Sequence, residues 1–473
     1  MKKSLIILIA ISVSVSLKAQ YLVSSTLIES KTGSDLSSLF SFIGIPNGTC
    51  CGVDTYSIQY NTKNAANANT IASGIIMIPT NTGCNSFPLL SFNHGTVLHK
   101  DEVPSKIYNL NIEYYYFATK GYVVTSPDYI GLGINSGFHP FCHSITEAKC
   151  TIDLMRAGRE FMATTSNTLD GKVFITGYSQ GGHAAMATLK HIQDNNFTSE
   201  FNVVAGAPMS GPYSLSLEQS RNVGYNYAYN GFYVYIINSY QNVYGNLYGS
   251  INAYYDSPYD VNIPPYLTGA STGTALNSIL PFNAFNFMQD SMLLSFMPDT
   301  ITYTHPIRYD LKLNDNYSWK PDMPVRLIYC SADDIVRASN SKMAYDTMMA
   351  KGALFVSKVD VSPASNHTNC EVPALSNARN WFNTFRTDCI GTLLKEFDRT
   401  NVKINYPNPS NGIISITSEM EINSIEVIDL FGKVVYKSMN EKSISINTIK
   451  IQNGLYFIKV NNIYLNNKLL IMN

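Results

Sequence analysis

Short runs of consecutive apolar residues recur along most of the chain, and turn-forming residues bound each run. They are GIIMIP, PLLSF, YVVT, KVFIT, NVVAGA and VRLIYC, at residues 74–79, 88–92, 122–125, 172–176, 202–207 and 325–330. Strands that are apolar at successive positions are typical of a sheet covered on both faces. Segments with helical spacing lie between several runs, as at residues 145–162. This alternation predicts an α/β fold with a mostly parallel, doubly wound sheet and right-handed crossovers.

The alternation breaks in residues 213–321, which are rich in Tyr, Asn, Pro and Gly. A structureless loop of that length is implausible inside a compact domain. We therefore predict a cap subdomain inserted into the order of the strands. Its tyrosines either line a binding cleft or pack the interior of the cap, and the sequence leaves both interpretations open.

The first residues have the pattern of a secretory signal peptide. Lys2 and Lys3 precede a short apolar segment at residues 5–15. That segment is too short to cross a bilayer comfortably, which disfavours the alternative of a membrane anchor. The pattern predicts a signal peptide at residues 1–20 and an exported protein.

The last part of the chain changes to short alternating apolar and polar runs. Turn signals separate these runs, for example DLFG at residues 429–432 and Asn-Gly at residues 453–454. Alternation with such turns is typical of antiparallel strands. We therefore predict a small β-sandwich domain at residues 402–473, which follows a catalytic domain at residues 21–398.

Charge and cysteine content narrow the possible partners. The formal net charge is -1. A nucleic-acid partner would call for a basic face, so we expect no nucleic-acid partner.

The chain has eight cysteines, and an even number suits disulfides in an exported protein. Their spacing matches no zinc pattern, so we expect neither a metal site nor a cofactor. Cys142 and Cys150 are the most local candidate pair, although the connectivity stays open.

A Gly-x-Ser-x-Gly motif spans residues 177–181, directly between the predicted strand KVFIT and a predicted helix. This is the strand–turn–helix setting of a nucleophile elbow, in which small residues must flank the serine. The N-terminus of the following helix favours developing negative charge. The motif therefore predicts that Ser179 is a catalytic nucleophile.

A serine nucleophile needs a base and an acid, which follow it along the chain in this fold. His367 lies in a polar loop after a late apolar run, whereas His305 lies in the predicted cap, so we favour His367 as the base. Asp333 and Asp334 directly follow VRLIYC. The pattern D-x-I-V selects Asp333 as the acid that orients the imidazole. We expect Asp334 to cap the helix that begins near Ser339.

An oxyanion hole needs two backbone N–H groups. One comes from the residue after the nucleophile, here Gln180. The sequence NHGT at residues 93–96, after the run PLLSF, suits the loop that supplies the other. We predict the N–H of Thr96, with that of Gly95 as the alternative, and we expect His94 to shape the loop.

These motifs together resemble the secretory lipase family of lipase-A-like α/β-hydrolases. The resemblance spans about residues 70–385 and rests on NHGT, SPDYIGLG, HP, GYSQGG, ADDIV and NHT, in that order. It implies a cap over the active site and hydrolysis of carboxylic esters. Arg337 departs from the pattern, because many relatives carry proline there. For PDYIGLG, at residues 127–133, we expect only a structural turn.

The last domain resembles the type A sorting domain of the type IX secretion system. The resemblance rests on YPNPSNG, IEVIDLFGKVV and GLYFIKV, at residues 406–412, 425–435 and 454–460. It implies export through the periplasm to the cell surface or the medium, with the secretion machinery as a partner. The alternative interpretation is an adhesive module attached to the enzyme.

Taken together, the sequence predicts a secreted serine hydrolase that cleaves carboxylic esters through an acyl-enzyme. The expected substrate is a small-molecule ester or a lipid. Two alternatives remain. A serine peptidase of the same fold would attack an amide by the same steps. A non-catalytic binding protein could also use a hydrolase scaffold, because fold alone does not establish activity.

Overall fold

The computed structural model contains two compact units, Met1–Cys389 and Ile390–Asn473. The structure describes residues 20–45, 47–48, 50–107, 111–297, 305–386, 402–405, 412–418, 424–429, 434–439, 443–460 and 463–472. The predicted signal peptide, apart from Gln20, lies outside the described residues. So do the predicted end of the catalytic domain at residue 398 and most of the YPNPSNG segment.

A nine-stranded sheet forms the framework of the larger unit. Its strands are β1 (Leu22–Lys31), β2 (Gly52–Lys63), β3 (Asn69–Thr80), β4 (Ser86–Asn93), β5 (Val123–Pro127), β6 (Thr168–Tyr178), β7 (Asn202–Met209), β8 (Val325–Tyr329) and β9 (Val356–Asp360). Their order is β1-β2-β3-β5-β4-β6-β7-β8-β9. Strands β4 to β9 are parallel to one another, and β1, β2 and β3 add an antiparallel edge. The predicted mostly parallel α/β sheet is confirmed.

Helices cover both faces of this sheet, which explains the unbroken apolar runs of the sequence. Leu89 of β4 belongs to one buried cluster and its neighbour Leu90 to the other. Successive side chains of a strand point to opposite faces, so each strand supplies both cores. The helices of the larger unit are α1 (Gly33–Phe42), α2 (Ile112–Ala118), α3 (Ser144–Met162), α4 (Gln180–Asp194), α5 (Gly231–Tyr244), α6 (Tyr259–Asn262), α7 (Gly273–Ser278), α8 (Asp290–Phe296), α9 (Pro306–Leu313), α10 (Ser339–Ala350) and α11 (His367–Asn383). Among the described residues, no helix is both long and apolar enough to cross a membrane.

The two faces are covered by different helices. One buried cluster contains side chains of α3, α4 and α10, and the other contains side chains of α1, α2 and α11. Helices α3 and α4 also pack against each other. Both helices lie on the same face of the sheet, so α4, which follows the Gly-x-Ser-x-Gly motif, lies beside α3.

Residues 210–324, which join β7 to β8, are called the insertion here. Their described part contains α5 to α9 and a buried cluster of its own. Aromatic rings dominate this cluster, and Tyr240, Tyr254 and Tyr255 are at most 1% exposed. Most of the clustered tyrosines therefore pack the interior of the insertion.

The smaller unit consists of antiparallel strands. Strands β10 (Val402–Asn405), β11 (Ile413–Ser418) and β14 (Ser443–Asn447) form one sheet, and β12 (Ser424–Asp429), β13 (Val434–Met439), β15 (Gly454–Val460) and β16 (Ile463–Ile471) form the other. One buried cluster takes Ile414 and Ile446 from the first sheet and Val427 and Ile458 from the second. The two sheets therefore share a core, as the predicted β-sandwich requires.

Cys142 and Cys150, the most local candidate pair of the sequence, are not joined. A disulfide joins Cys330, directly after β8, to Cys370 of α11, whereas Cys142 and Cys150 are buried free thiols. Although close in sequence, these two thiols lie in different clusters. Cys150 packs into the sheet core, while Cys142 precedes α3 and packs against the insertion.

Candidate active site

Ser179 occupies the sharp turn between β6 and α4. Its backbone has φ 61° and ψ -121°, an unfavourable conformation for a residue with a Cβ. The Ser179 N–H donates to the carbonyl of Met209 at 3.1 Å. The turn is tight enough to require glycine. A Cβ at Gly181 would lie 1.8 Å from the carbonyl oxygen of Asn93, and one at Gly182 would lie 2.4 Å from that of Met209. The flanking glycines thus allow the strained serine turn to press against β4 and β7.

His367 and Asp333 are in direct contact. His367 is the first residue of α11, and its Nδ1 lies 2.7 Å from Oδ2 of Asp333. The other carboxylate oxygen of Asp333 accepts the backbone N–H groups of Ile335 and Val336 at 3.0 and 2.8 Å. The carboxylate therefore has a fixed orientation toward the imidazole, and the imidazole itself is only 7% exposed.

The neighbouring Asp334 does not cap the helix near Ser339, so that expectation is wrong. Helix α10 has Ala338 at its N-cap and no side-chain cap. Asp334 instead accepts the backbone N–H of His367 at 3.0 Å. A carboxylate is stabilised at a helix N-terminus, and Asp334 has this position at the start of α11. The Cys330–Cys370 disulfide joins the same two elements.

Tyr178 is a further contact of the imidazole that the sequence did not single out. Its hydroxyl donates to the carbonyl of His367 at 2.5 Å, and the two ring centroids are 4.9 Å apart. Tyr178 occupies the variable position before Ser179, so no motif signalled its role. The contact connects the serine turn directly to the first residue of α11.

Residues 93–96, here called the oxyanion loop, pass next to Ser179. A Cβ at Gly95 would lie 3.8 Å from that of Ser179. His94 is buried, and its Nδ1 lies 2.7 Å from the carbonyl oxygen of Gly95. Burial lowers the pKa of His94 to about 4, so this ring is neutral near pH 7. His94 thus packs inside the loop and contacts the Gly95 carbonyl, and its shaping role stays a prediction.

A mainly apolar pocket opens at Ser179. Its volume is about 540 Å³ including its open mouth, and Thr96 and Gln180 lie in its wall beside the serine. The insertion supplies most of the apolar wall through Leu215, Tyr227, Phe232, Tyr233, Ile236, Phe296 and Leu311. A few tyrosines of the insertion thus do line the pocket, whereas most pack its interior.

A wider and more polar cavity of about 1940 Å³ shares Thr96 and Phe232 with this pocket. Glu113 and Glu371 lie in its wall. Burial, together with the charge of Glu113, raises the pKa of Glu371 to about 7. This side of the site therefore holds two buried carboxyl groups, and a charge on Glu113 disfavours a charge on Glu371.

Within the described part of the chain, one group of side chains could hold a metal ion. Suitable atoms of Cys142, Glu147 and His183 lie within 4.8 Å of one another. Both ring nitrogens of His183 already have partners, Oε2 of Glu147 at 2.6 Å and the carbonyl of Asn314 at 2.9 Å. Burial raises the pKa of the Cys142 thiol, which disfavours the thiolate that a metal requires. These residues suit a hydrogen-bonded pair better than a metal.

Residues 127–133 form a turn whose carboxylate is fully buried. Asp128 accepts the hydroxyl groups of Ser73 and Ser105 at 2.5 and 2.6 Å and the N–H of Ser105 at 3.0 Å. A Cβ at Gly133 would lie 2.4 Å from the Asp128 carboxylate. The turn therefore ties β3 to the segment after β5, close to the oxyanion loop.

The strand order and the helices on both faces define an α/β-hydrolase fold, and the comparisons with known proteins assign it to the esterase and lipase class. Comparison with known families agrees with this class. The secretory lipase family model matches residues 110–387, and the chain belongs to that family. Residues 405–471 match the secretion system C-terminal sorting domain. The protein is therefore exported and is secreted or held at the cell surface.

Solved structures show the same fold. The G231F mutant of the rice cell wall degrading esterase LipA from Xanthomonas oryzae is 28% identical, with a TM-score of 0.70 over 77% of this chain and 99% of that one. A ligand-bound form of LipA is also 28% identical, with a TM-score of 0.67 over 79% and 97%. Candida antarctica lipase A, 19% identical, has a TM-score of 0.55 over 77% and 84% and shares the fold. None of the curated proteins compared with the sequence matches it.

Proposed function

We propose that this protein is a serine esterase that cleaves carboxylic esters through an acyl-enzyme on Ser179. The observation that carries the proposal is that three elements meet at the serine turn. Ser179 and Thr96 of the oxyanion loop line the same pocket, and the histidine–aspartate pair contacts the turn through Tyr178. Each element alone has a structural explanation, but their convergence is the arrangement that acyl transfer needs.

In the proposed reaction, His367 acts as the general base and Asp333 as the orienting acid. Nδ1–H of His367 donates to Asp333, which leaves Nε2 to take the proton of the Ser179 hydroxyl. The serine oxygen then adds to the ester carbonyl. Expulsion of the alcohol, which receives the proton from His367, gives the acyl-enzyme. Water activated by the same imidazole hydrolyses the acyl-enzyme and releases the acid.

The developing oxyanion would be bound by the backbone N–H of Gln180 and by that of Thr96 or Gly95. Gln180 opens α4, so its N–H belongs to the free donors at the helix N-terminus. Both segments lie in the wall of the pocket beside Ser179. Backbone donors held by packing need no reorientation as charge develops, which lowers the barrier.

The insertion would act as the cap and would bind the hydrocarbon part of the substrate. Its apolar side chains supply most of the pocket wall. Burial of an apolar chain against such a wall favours binding by about 0.8 kcal/mol for each methylene. We therefore propose esters with an aliphatic or aromatic acyl group as substrates.

A fluorophosphonate probe tests the nucleophile directly. We expect covalent labelling of wild-type protein at Ser179, together with hydrolysis of p-nitrophenyl esters. Ser179→Ala should lose both while it keeps its fold by circular dichroism. Ser91→Ala is the matched control, because Ser91 is a fully buried serine of the same sheet, outside the pocket. Retained hydrolysis by Ser179→Ala would refute the proposal.

Matched amide substrates decide between an esterase and a peptidase. We expect turnover of acyl esters and very little turnover of the corresponding acyl, aminoacyl and prolyl anilides. The same Ser179-dependent rate on amides would assign the site to a peptidase. A folded protein that neither labels nor hydrolyses would indicate a binding protein on a hydrolase scaffold.

The C-terminal unit is proposed to serve export and not catalysis. Its strands share a core of their own, separate from the buried clusters of the larger unit. A shortened chain that ends at Arg399 should hydrolyse esters at the full rate when it is produced in an oxidising compartment. In the native host the same chain should accumulate in the periplasm. Normal extracellular activity of the shortened chain would contradict the sorting role.

A further inference from the structure

The side chain of Gln180 has a role separate from that of its backbone. Gln180 is 1% exposed, and its Nε2 lies 2.8 Å from Nε2 of His139 and 2.9 Å from Oε1 of Glu147. A primary amide has two N–H groups, and both are used here. The reverse orientation would place the amide oxygen against the Glu147 carboxylate. The partners therefore allow one orientation of the Gln180 side chain.

His139 is suited to accept this hydrogen bond. Its Nδ1 lies 2.8 Å from the carbonyl oxygen of Ile130, so Nδ1 carries the proton and Nε2 is free to accept. The ring is 3% exposed, and burial lowers the pKa of His139, which keeps it neutral. The HP motif of the sequence thus supplies a fixed acceptor behind the first residue of α4.

Glu147 holds α4 at two points that are one turn apart. One carboxylate oxygen accepts from Gln180, and the other accepts Nδ1–H of His183 at 2.6 Å. Burial opposes a charge on His183, but Glu147 and its hydrogen bonds raise the pKa of His183 overall. Residues three apart on a helix lie on the same face. The carboxylate therefore fixes both the position and the rotation of the first turn of α4 against α3.

The same group of side chains reaches the oxyanion loop. The ring of Tyr129 stacks on His139 at 5.6 Å between centroids and lies 4.3 Å from the ring of His94. The Tyr129 hydroxyl donates to the carbonyl of His94 at 3.1 Å. The residues that hold Gln180 thus also pack against the loop that carries Gly95 and Thr96.

Building on the proposed function, we propose that Glu147 and His139 are positioning residues of the oxyanion hole. They hold the Gln180 side chain, and through it they keep the backbone N–H of Gln180 aimed at the same point as the N–H donors of the oxyanion loop. Neither residue touches the substrate. A misaligned donor binds the oxyanion less well, although ground-state binding of the ester in the apolar pocket stays the same.

The test compares kcat with KM in two variants, Gln180→Met and Glu147→Met. Both keep the length of the side chain and remove the hydrogen bond between residues 180 and 147. We expect kcat on p-nitrophenyl butyrate to fall roughly 10- to 100-fold, less than the roughly 100- to 1000-fold cost of losing a donor outright. KM should stay within about twofold, since ground-state contacts are unchanged. The inhibition constant of an alkyl trifluoromethyl ketone, which forms the oxyanion adduct, should rise in parallel with the loss of kcat.

The conservative variant Glu147→Gln should recover most of the activity. Its amide oxygen can accept from Gln180, and its amide N–H can donate to a neutral His183 that still donates to the carbonyl of Asn314. Thr62→Val is the matched control for lost stability, because it removes a buried hydrogen bond between β2 and α3 that does not involve α4. Its melting temperature should fall while its kcat remains that of the wild type.

Folded Gln180→Met with a kcat within twofold of wild type would overturn this inference, even where Ser179→Ala is inactive. Gln180→Met decides the matter if Glu147→Met fails to fold. Equal losses in Glu147→Gln and Glu147→Met would show that the charge, and not the hydrogen bonds, is needed, which also overturns it. Retained activity in Ser179→Ala would instead refute the proposed function itself.

Discussion

The two walls of the pocket are built in different ways. On the side of the sheet, turns and carboxylates hold the polar groups: Asp333 is fixed by two backbone N–H groups, and the Cys330–Cys370 disulfide joins β8 to α11. On the side of the insertion, aromatic rings fill the space. Their hydroxyl groups donate to single carbonyls, as Tyr227 does to Ile335 and Tyr240 to Cys142.

This difference indicates which properties each wall controls. Each hydrogen bond on the sheet side joins a fixed donor to a fixed acceptor. A substitution there therefore removes a specific interaction of the candidate catalytic residues. The insertion contacts the pocket through apolar surface, which tolerates changes of shape at a smaller cost. We therefore expect the sheet side to determine the rate of the chemical steps and the insertion to determine which acyl groups bind.

The largest expected effect concerns the two adjacent aspartates. Asp333→Asn should lower kcat by about 10⁴-fold, because the amide favours the wrong tautomer of His367. Asp334→Asn keeps an acceptor for the N–H of His367 and should lower kcat less than tenfold. Steady-state measurement of kcat on one ester compares the two variants. Similar, mild losses in both variants would mean that another residue is the acid.

The next effect concerns the disulfide on the sheet side. It closes a loop of 40 residues, which corresponds to about 4 kcal/mol of stability in the chain-entropy model. Cys370→Ser should lower the free energy of unfolding by about that amount, as measured by urea denaturation. Cys84→Ser, a change at a free thiol, is the control. A loss below about 1 kcal/mol would show that packing alone holds α11 against β8.

On the insertion side, Ile236→Ala should change the choice of substrate. Ile236 lines the pocket from α5, and its truncation removes contacts with a long acyl chain worth about 1–3 kcal/mol. We expect KM for long-chain esters to rise about tenfold and kcat to be unchanged, with short-chain esters unaffected. Val234→Ala is the control, because Val234 is buried on the same helix outside the pocket wall. Loss of kcat on every chain length would contradict the division between the two walls.

The smallest effect is the pH dependence caused by Glu371. Its pKa is raised to about 7 by burial and by Glu113, so the native state prefers the protonated form. As the pH rises from the ordinary carboxyl range to above 7, the native state therefore loses stability relative to the unfolded chain. Glu371→Gln should melt at the same temperature as wild type below pH 4 and at a higher temperature above pH 8. A constant difference across this range would rule out the carboxyl group as the cause.

Local pattern was sufficient for the central strands of the larger unit, whereas it did not predict β1, β2 or the helices of the insertion. The apolar runs predicted β4, β6 and β8, because a strand covered on both faces must be apolar throughout. The turn at Ser179 was predictable because the turn itself requires glycine: a Cβ at Gly177 would lie 2.3 Å from the carbonyl oxygen of Gly181. The chain order serine, acid, histidine predicted Asp333 and His367 as the acid and the base. In the structure these two side chains are in contact. Their catalytic roles stay predictions.

Pairwise contacts between distant residues were decided only by the tertiary structure. The sequence could not show that Asp334 accepts the N–H of His367, that Cys370 pairs with Cys330, or that Glu147 accepts from Gln180. Each of these contacts joins positions at least 33 residues apart. Such contacts depend on how helices and loops pack around the sheet, and no periodicity of the chain encodes that packing. The sequence by itself determined the central strands, the serine turn and the order of the candidate catalytic residues, because these follow from backbone geometry and local polarity.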